Sequence, residues 1–218
     1  MNVEDDPGAL AELARLGVPL VPAVLLGERA VHGWNPAAYA ELLGVRYTAP
    51  PALPPAELGV RLDRILEATQ RLLVPLDARQ LDYTPPERAR PLRDLAYHVF
   101  RLALAFVDGM DHGELPEGWL QERAPDDLRD GPAVARYGAL VRGRIAGWFE
   151  GAAPGEFARV IGVYYGPQSG HELLERTAWH AAQHLRQLHV LVGRLGGVPA
   201  APLPADAFAG LPLPDALW

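Results

Sequence analysis

Two histidines four residues apart constrain this chain more than any other feature. His180 and His184 lie in the stretch Thr177–Leu188, whose apolar residues recur with the period of a helix. Residues four apart on a helix lie one turn apart on one face, so both imidazoles point the same way. Leu173 and Leu191 fall near that face, which predicts that the pair looks into the interior. Two imidazoles buried there need a ligand or a polar network.

A third histidine lies upstream, on what reads as the second long helix. His98 falls on the edge of an apolar stripe that contains Leu95 and Leu102, and it is the only histidine of the segment 92–110. In a bundle, this histidine would face the pair on the last helix. For a bare H-x-x-x-H alone, ordinary core or surface histidines are the competing interpretation.

The combination of His98 with the string Trp179–Leu188, including Gln187 after the second histidine, resembles the DinB/YfiT superfamily of four-helix bundle metalloproteins. The resemblance covers roughly residues 56–200. It implies a mainly α fold, a DinB-like four-helix bundle, in which His98, His180 and His184 bind one divalent metal.

Other polar residues are weaker candidates around this site. Side chains that could hydrogen-bond to an imidazole from an outer shell are Gln183, Gln187, Asp94 and Glu175. His112 is a candidate fourth ligand or a solvated loop residue. His171 and His189 each lie nine residues from His180, on the opposite side of the helix, and should not join the site.

The first 46 residues predict a small α/β segment: a helix over 8–16, a hairpin over 18–33 and a helix from Asn35 to Leu43. This order resembles the C-terminal half of a glutaredoxin or thioredoxin-like domain, with Val21-Pro22 at its Val-cis-Pro and Gly33-Trp34 at its Gly-aromatic pair. The Cys-x-x-Cys half would precede Met1. Either the true start lies upstream, or the half-domain packs on the bundle or on a second copy; a plain βα appendage is the alternative.

The remaining chain divides into three predicted parts. Residues 47–55 contain four prolines and form a linker. Residues 56–197 form the bundle, with helices over 56–74, 91–110, 132–151 and 169–195 joined in part by a long polar loop, 111–130, that could roof the site. Residues 198–218 form a Pro-rich tail that is extended over the bundle or a neighbour, or disordered by composition.

Composition excludes several classes of function. A net charge of −7 argues against a nucleic-acid partner. The chain has no cysteine, so a thiol that takes part in its chemistry comes from a substrate. No apolar run approaches the roughly 18 residues that span a membrane, and the acidic start is unlike a signal peptide, which predicts a cytoplasmic protein.

Three neutral imidazoles leave a metal its double charge and an open coordination position, as in catalytic rather than structural zinc sites; nickel or iron would accept the same ligands. The open position could take water or a thiol sulfur.

The family resemblance implies metal-dependent thiol S-transferases and a thiol-dependent maleylpyruvate isomerase that use glutathione, mycothiol or bacillithiol. Our first hypothesis is a thiol S-transferase acting on an electrophile; the oligomeric state stays open, and the unfinished N-terminal sheet invites pairing as a homodimer. A metal-dependent hydrolase and a non-catalytic metal-binding or stress-response module are the alternatives.

Overall fold

A computed structural model of the chain describes residues 6–18, 23–33, 35–49, 51–86, 89–196 and 203–217. It is mainly α, which confirms the predicted fold class. The chain divides into two compact units, Met1–Pro51 and Ala52–Trp218. No described helix is both long and apolar enough to cross a membrane.

The smaller unit contains a hairpin between two helices. Its elements are α1 (Pro7–Arg15), β1 (Ala23–Leu26), β2 (Arg29–His32) and α2 (Pro36–Leu43). The strands pair antiparallel, and Gly27 takes a positive φ of 58° in the turn between them. Asp6 and Asn35 cap the two helices by accepting hydrogen bonds from backbone N–H groups of the first turn. Val21-Pro22 and Trp34, on which the thioredoxin-like resemblance depends, lie outside the described residues, so that resemblance stays a prediction.

Four long helices form the larger unit: α3 (Pro55–Leu73), α5 (Leu92–His112), α7 (Gly131–Gly151) and α8 (Gly170–Arg194), with the short α4 (Ala78–Leu81) between the first two. Helices α3 and α5 each pack against both α7 and α8. The core between them consists of side chains that are fully buried, including Leu62, Ile65, Leu66, Phe100, Phe106 and Leu174. Burial of these apolar stripes is the main force that holds the bundle together.

Local signals fix where the long helices begin and end. Pro55 occupies the first turn of α3, Asp130 accepts a hydrogen bond from Ala133 at the start of α7, and Ser169 forms a capping box with Glu172 at the start of α8. Gly113 ends α5 with a φ of 82°.

Two glycines let α7 approach its neighbours closely. A Cβ at Gly131 would lie 1.8 Å from the carbonyl oxygen of Leu73, and one at Gly138 would lie 2.5 Å from the ring of Phe100. The backbone N–H of Gly131 donates to the carbonyl of Leu76 at 2.9 Å. The start of α7 is thereby tied to the end of α3.

The connections hold more structure than the sequence predicts. The segment predicted as a continuous loop over 111–130 contains the last residues of α5, a two-residue strand β3 (Glu114–Leu115) and α6 (Gly118–Gln121). Between α7 and α8 lie a 3-10 turn (Pro154–Ala158), β4 (Val160–Val163) and β5 (Gln168–Ser169). Strand β4 pairs parallel with β3 and antiparallel with β5. These strands are too short for a sequence period to reveal.

The described part of the C-terminal tail, residues 203–217 (the C-terminal segment), lies on the bundle. It contains α9 (Ala205–Phe208), which packs against α3. Ala207 is fully buried and Leu211 is 7% exposed, so apolar contacts anchor this segment. Trp179 Nε1 on α8 donates to the carbonyl of Pro212 at 2.9 Å. The sequence left open whether the tail lies over the bundle, lies over a neighbour or is disordered. In the structure, the described residues of the tail lie on the bundle.

Candidate metal centre

The three histidines singled out by the sequence lie together. His98 on α5 and His180 and His184 on α8 each present a ring nitrogen, and these nitrogens all lie within 4.8 Å of one another. The ring centroids of His180 and His184 are 4.6 Å apart, and that of His98 is 5.4 and 5.1 Å from them. In the described part of the chain, this is the one group of three or more histidine and carboxylate side chains with metal-site spacing.

The packing of α5 against α8 brings the three side chains together. His180 and His184 lie one turn apart on α8, and His98 faces them from α5 between the buried Leu95 and Leu102. His98 and His184 are each 5% exposed, whereas His180 is half-buried. The cluster is therefore enclosed by the bundle and meets solvent beside His180.

The donor set fits a divalent transition metal. Imidazole nitrogen is a ligand that zinc, nickel and iron accept. Zinc–nitrogen distances of about 2.1 Å in tetrahedral geometry place two nitrogens about 3.4 Å apart. The nitrogens observed here lie within 4.8 Å of one another, so the imidazoles would move closer together on binding a metal.

Gln187 connects one of these imidazoles to the C-terminal segment. Its Oε1 lies 2.7 Å from His184 Nδ1, and its Nε2 donates to the carbonyl of Leu217 at 2.5 Å. Gln187 is 4% exposed, so both contacts are shielded from water. Of the outer-shell candidates, this side chain contacts an imidazole directly.

Two other outer-shell candidates, Gln183 and Asp94, make hydrogen bonds elsewhere. Gln183 Nε2 donates to the carbonyls of Ala216 and Leu217 at 3.1 and 3.0 Å. The buried carboxylate of Asp94 accepts a hydrogen bond from the backbone N–H of Ala124 at 3.1 Å, so it holds the connection that follows α6. Glu175 is half-buried on α8.

The remaining histidines of the bundle lie outside the group. His112, at the exposed end of α5, packs against Trp119 with ring centroids 6.1 Å apart. His171 lies with Nε2 2.8 Å from the carbonyl oxygen of Leu53, and His189 is half-buried near the end of α8.

A second polar cluster, which no sequence pattern indicated, surrounds Arg101, one turn along α5 from His98. The Arg101 side chain is 8% exposed, and its guanidinium donates to Glu122 at 2.8 and 3.1 Å and to Asp108 at 3.3 Å. Tyr97 donates to Glu122 at 3.1 Å and stacks on Tyr137. The hydrogen bonds from Arg101 hold the pKa of Glu122 below its ordinary value, and burial raises that of Tyr97.

An arginine also lies one turn from the histidine pair, four residues before His180. The guanidinium of Arg176 lies 3.9 Å from the ring centroid of Tyr165, a cation–π contact. Burial raises the pKa of Tyr165 to about 12, so its hydroxyl stays protonated at neutral pH. The i, i+4 spacing of Arg176 and His180 on a predicted helix is the sequence signal that could have indicated this neighbour.

Comparisons with known proteins agree with this fold. The sequence model of the DinB superfamily matches residues 61–188, a range that contains His98, His180 and His184. The crystal structure of a DinB-like protein, YjoA from Bacillus subtilis, is similar in fold with a TM-score of 0.50 and 17% identity, covering 69% of this chain and 94% of that chain. No curated protein sequence matches the chain. Because the superfamily match spans more than half of the 218 residues, this chain belongs to the DinB superfamily.

Proposed function

We propose that this chain is a metal-dependent enzyme that activates a low-molecular-weight thiol for S-transfer to an electrophile. His98, His180 and His184 would hold one divalent metal, zinc or nickel, with iron as a third choice. One observation carries the proposal: three imidazoles gather in the bundle, and among the described residues no further histidine or carboxylate side chain belongs to the group they form. An incomplete set of protein ligands is typical of a catalytic metal site.

When bound, a divalent metal with three neutral ligands keeps its full charge, and this charge stabilises the thiolate form of a coordinated sulfur. In this proposal a small co-substrate supplies the sulfur, since the sequence contains no cysteine. His180 is the half-buried member of the group, so a small molecule would reach the centre beside it. The buried leucines of α5 around His98 limit the access of bulk water to the other side.

Residues near the centre have separate roles in this proposal. Gln187 would orient His184 through the 2.7 Å contact. Gln183 and Asp94 act through the segments that they hold, since their hydrogen bonds go to Ala216, Leu217 and Ala124. A hydrolase would need a general base, and this use of the Asp94 carboxylate does not favour that alternative.

The domain bounds, the partners, the cellular location and the assembly belong to the same proposal. We propose a partial glutaredoxin-like segment over 1–46, a linker over 47–55, a DinB-like bundle over 56–197 and a tail over 198–218. The proposed partners are a small thiol and an electrophile, with no nucleic-acid partner, in the cytoplasm, and a homodimer is the proposed assembly.

Metal analysis tests the ligands first. We expect protein purified without chelator, or reconstituted with zinc or nickel, to hold about one metal per chain, and His98→Ala, His180→Ala and His184→Ala each to lose it. His112→Ala is the matched control and should retain the metal, because His112 lies at the exposed end of α5. A parent protein that stays metal-free after reconstitution contradicts the proposal.

Activity assays test the reaction next. The metal-loaded protein is assayed with glutathione, mycothiol or bacillithiol and an aryl halide electrophile, and separately with an activated ester. Metal-dependent thioether formation is the expected result. Ester hydrolysis without thioether formation would favour the hydrolase, and a metal-loaded protein inactive in both assays would favour the non-catalytic module.

A further inference from the structure

We infer that the C-terminal segment, acting through Gln187, holds His184 in the tautomer that leaves Nε2 as its metal-binding nitrogen. This inference rests on the proposed metal site. It makes Gln187 a positioning residue and gives the Pro-rich tail a role in metal affinity.

The orientation of the Gln187 amide follows from its partner on the tail. Leu217 presents a backbone carbonyl oxygen 2.5 Å from the amide, and a carbonyl can only accept a hydrogen bond. The amide must therefore turn its NH2 group to Leu217 and its oxygen to His184. This assignment depends on the chemistry of the carbonyl and not on telling nitrogen from oxygen at the amide.

The orientation of the amide then determines the proton on His184. Gln187 Oε1 is an acceptor and lies 2.7 Å from His184 Nδ1, so Nδ1 carries the proton and donates. In a neutral imidazole, Nε2 then keeps the lone pair, which is the electron pair that a metal needs. The imidazole is thus set for binding before any metal arrives.

The position of Leu217 is itself fixed by a row of donors on one face of α8. Trp179 donates to Pro212 at 2.9 Å, Arg186 donates to Pro214 at 2.7 Å, and Gln183 donates to Leu217 at 3.0 Å. Donors at 179, 183, 186 and 187 follow the i, i+4, i+7, i+8 spacing of one helix face. The segment therefore runs along α8, and its last contacts reach the residue that orients His184.

Loss of the Leu217 contact would let the amide turn over. The NH2 group could then donate to Nδ1, which would move the proton to Nε2, where it blocks the metal. Removal of an outer hydrogen-bond partner of a metal-binding histidine typically weakens metal affinity about 10- to 100-fold.

Zinc titration against a competing chelator tests the inference. We expect Gln187→Leu to raise the Kd for zinc about 10- to 100-fold. The matched control is Gln70→Leu on α3, a glutamine that bonds to Ala135 and Arg142 and should leave the Kd unchanged. An unchanged Kd in Gln187→Leu overturns the inference while the metal site stands.

A second experiment separates the effect of the tail on zinc affinity from the effect of the Gln187 amide. Removal of residues 216–218 should weaken zinc binding in the parent but not in Gln187→Glu. A carboxylate accepts at both oxygens, so it needs no help from Leu217 to face His184 correctly. Equal weakening in both backgrounds, or weakening in neither, contradicts the role of the tail.

Histidine tautomers measured by nitrogen-15 NMR on metal-free protein at pH 8 give a result that does not depend on metal binding. We expect His184 to carry its proton on Nδ1 in the parent and to lose this preference in Gln187→Leu. A proton on Nε2 in the parent overturns the inference. If the parent binds no metal yet shows the Nδ1 tautomer, the proposed function fails and the positioning of His184 by Gln187 stands.

Discussion

Helix α5 contributes to two polar clusters that differ in the chemistry of their members. Around Arg101, a buried cation meets the carboxylates of Glu122 and Asp108, so opposite charges pair within the protein. Around His98, three groups of the same chemical kind come together from two helices. Imidazoles can share protons with one another, but none of them brings an opposite charge.

This difference separates a structural cluster from a candidate site. The arginine cluster is complete with protein groups alone, and it fastens the polar connection after α5 to the helix. The histidine cluster consists of electron-pair donors of a kind that could bind an external cation. Arg101, His98 and His184 are buried to a similar degree, so burial does not distinguish the two clusters. The chemical identity of the donors and acceptors does.

The largest expected effect is a zinc-dependent gain in stability at the histidine cluster. At a free zinc concentration 100 times the Kd, we expect the unfolding free energy of the parent to rise by about 2.7 kcal/mol. His98→Ala should show no gain, because its site lacks one ligand. Arg101→Met should gain as much as the parent. Urea unfolding with and without zinc measures the unfolding free energy of each protein. If zinc no longer stabilises Arg101→Met, the two clusters act as one unit.

The next effect is the loss of stability when the arginine cluster is broken. Arg101→Met leaves two carboxylates without their buried cation, and we expect a loss of about 2 kcal/mol, less than for a fully buried pair because Glu122 is 42% exposed. Urea unfolding without metal measures the loss. Arg71→Met is the control, since Arg71 pairs with Glu67 on the surface of α3 and should cost under about 1 kcal/mol.

A smaller effect is expected where α7 packs against the arginine side of α5. Gly138→Ala places a methyl group 2.5 Å from the buried ring of Phe100, and we expect a loss of about 1–2 kcal/mol. Gly143→Ala, on the same helix with open space around it, should instead stabilise by up to about 1 kcal/mol. Thermal unfolding of both variants measures the pair, and equal shifts would contradict the close packing.

The smallest expected effect is a change in stability at acid pH. The pKa of Glu122 is lowered in the folded state from its ordinary 4.5 by the hydrogen bonds from Arg101. A lowered pKa contributes stability that is present above pH 4.5 and is lost as the pH falls through the folded value. The parent should therefore exceed Glu122→Gln in stability at pH 6, and this gap should close in acid. A gap independent of pH from 6 to 3 would contradict the ion pair.

Local patterns made much of the fold predictable. The four long helices follow from apolar periodicity together with the signals at Pro55, Asp130 and Ser169, all of which act within a few residues. The three histidines could be singled out because spacing on one helix places His180 and His184 together, and the family resemblance adds His98.

Other features depend on residues that are distant in sequence and carry no local signal. Strand β3 pairs with β4 through Glu114 and Gly162, and neither strand is long enough to show a period. The contact that fixes Gln187 is a backbone carbonyl, which every residue has. Asp94 is an outer-shell candidate by sequence, but its partner, Ala124, comes from a connection that periodicity does not describe.

The distribution of the three histidines over two helices has a kinetic consequence. Helix α7 lies between α5 and α8 in sequence, so a metal held by His98 and His180 would close a loop of chain that contains all of α7. The two helices could then separate only after a metal–nitrogen bond breaks. We expect the proposed metal to act most strongly on the rate of unfolding, and the amide hydrogens of α7, which has no ligand of its own, to exchange more slowly.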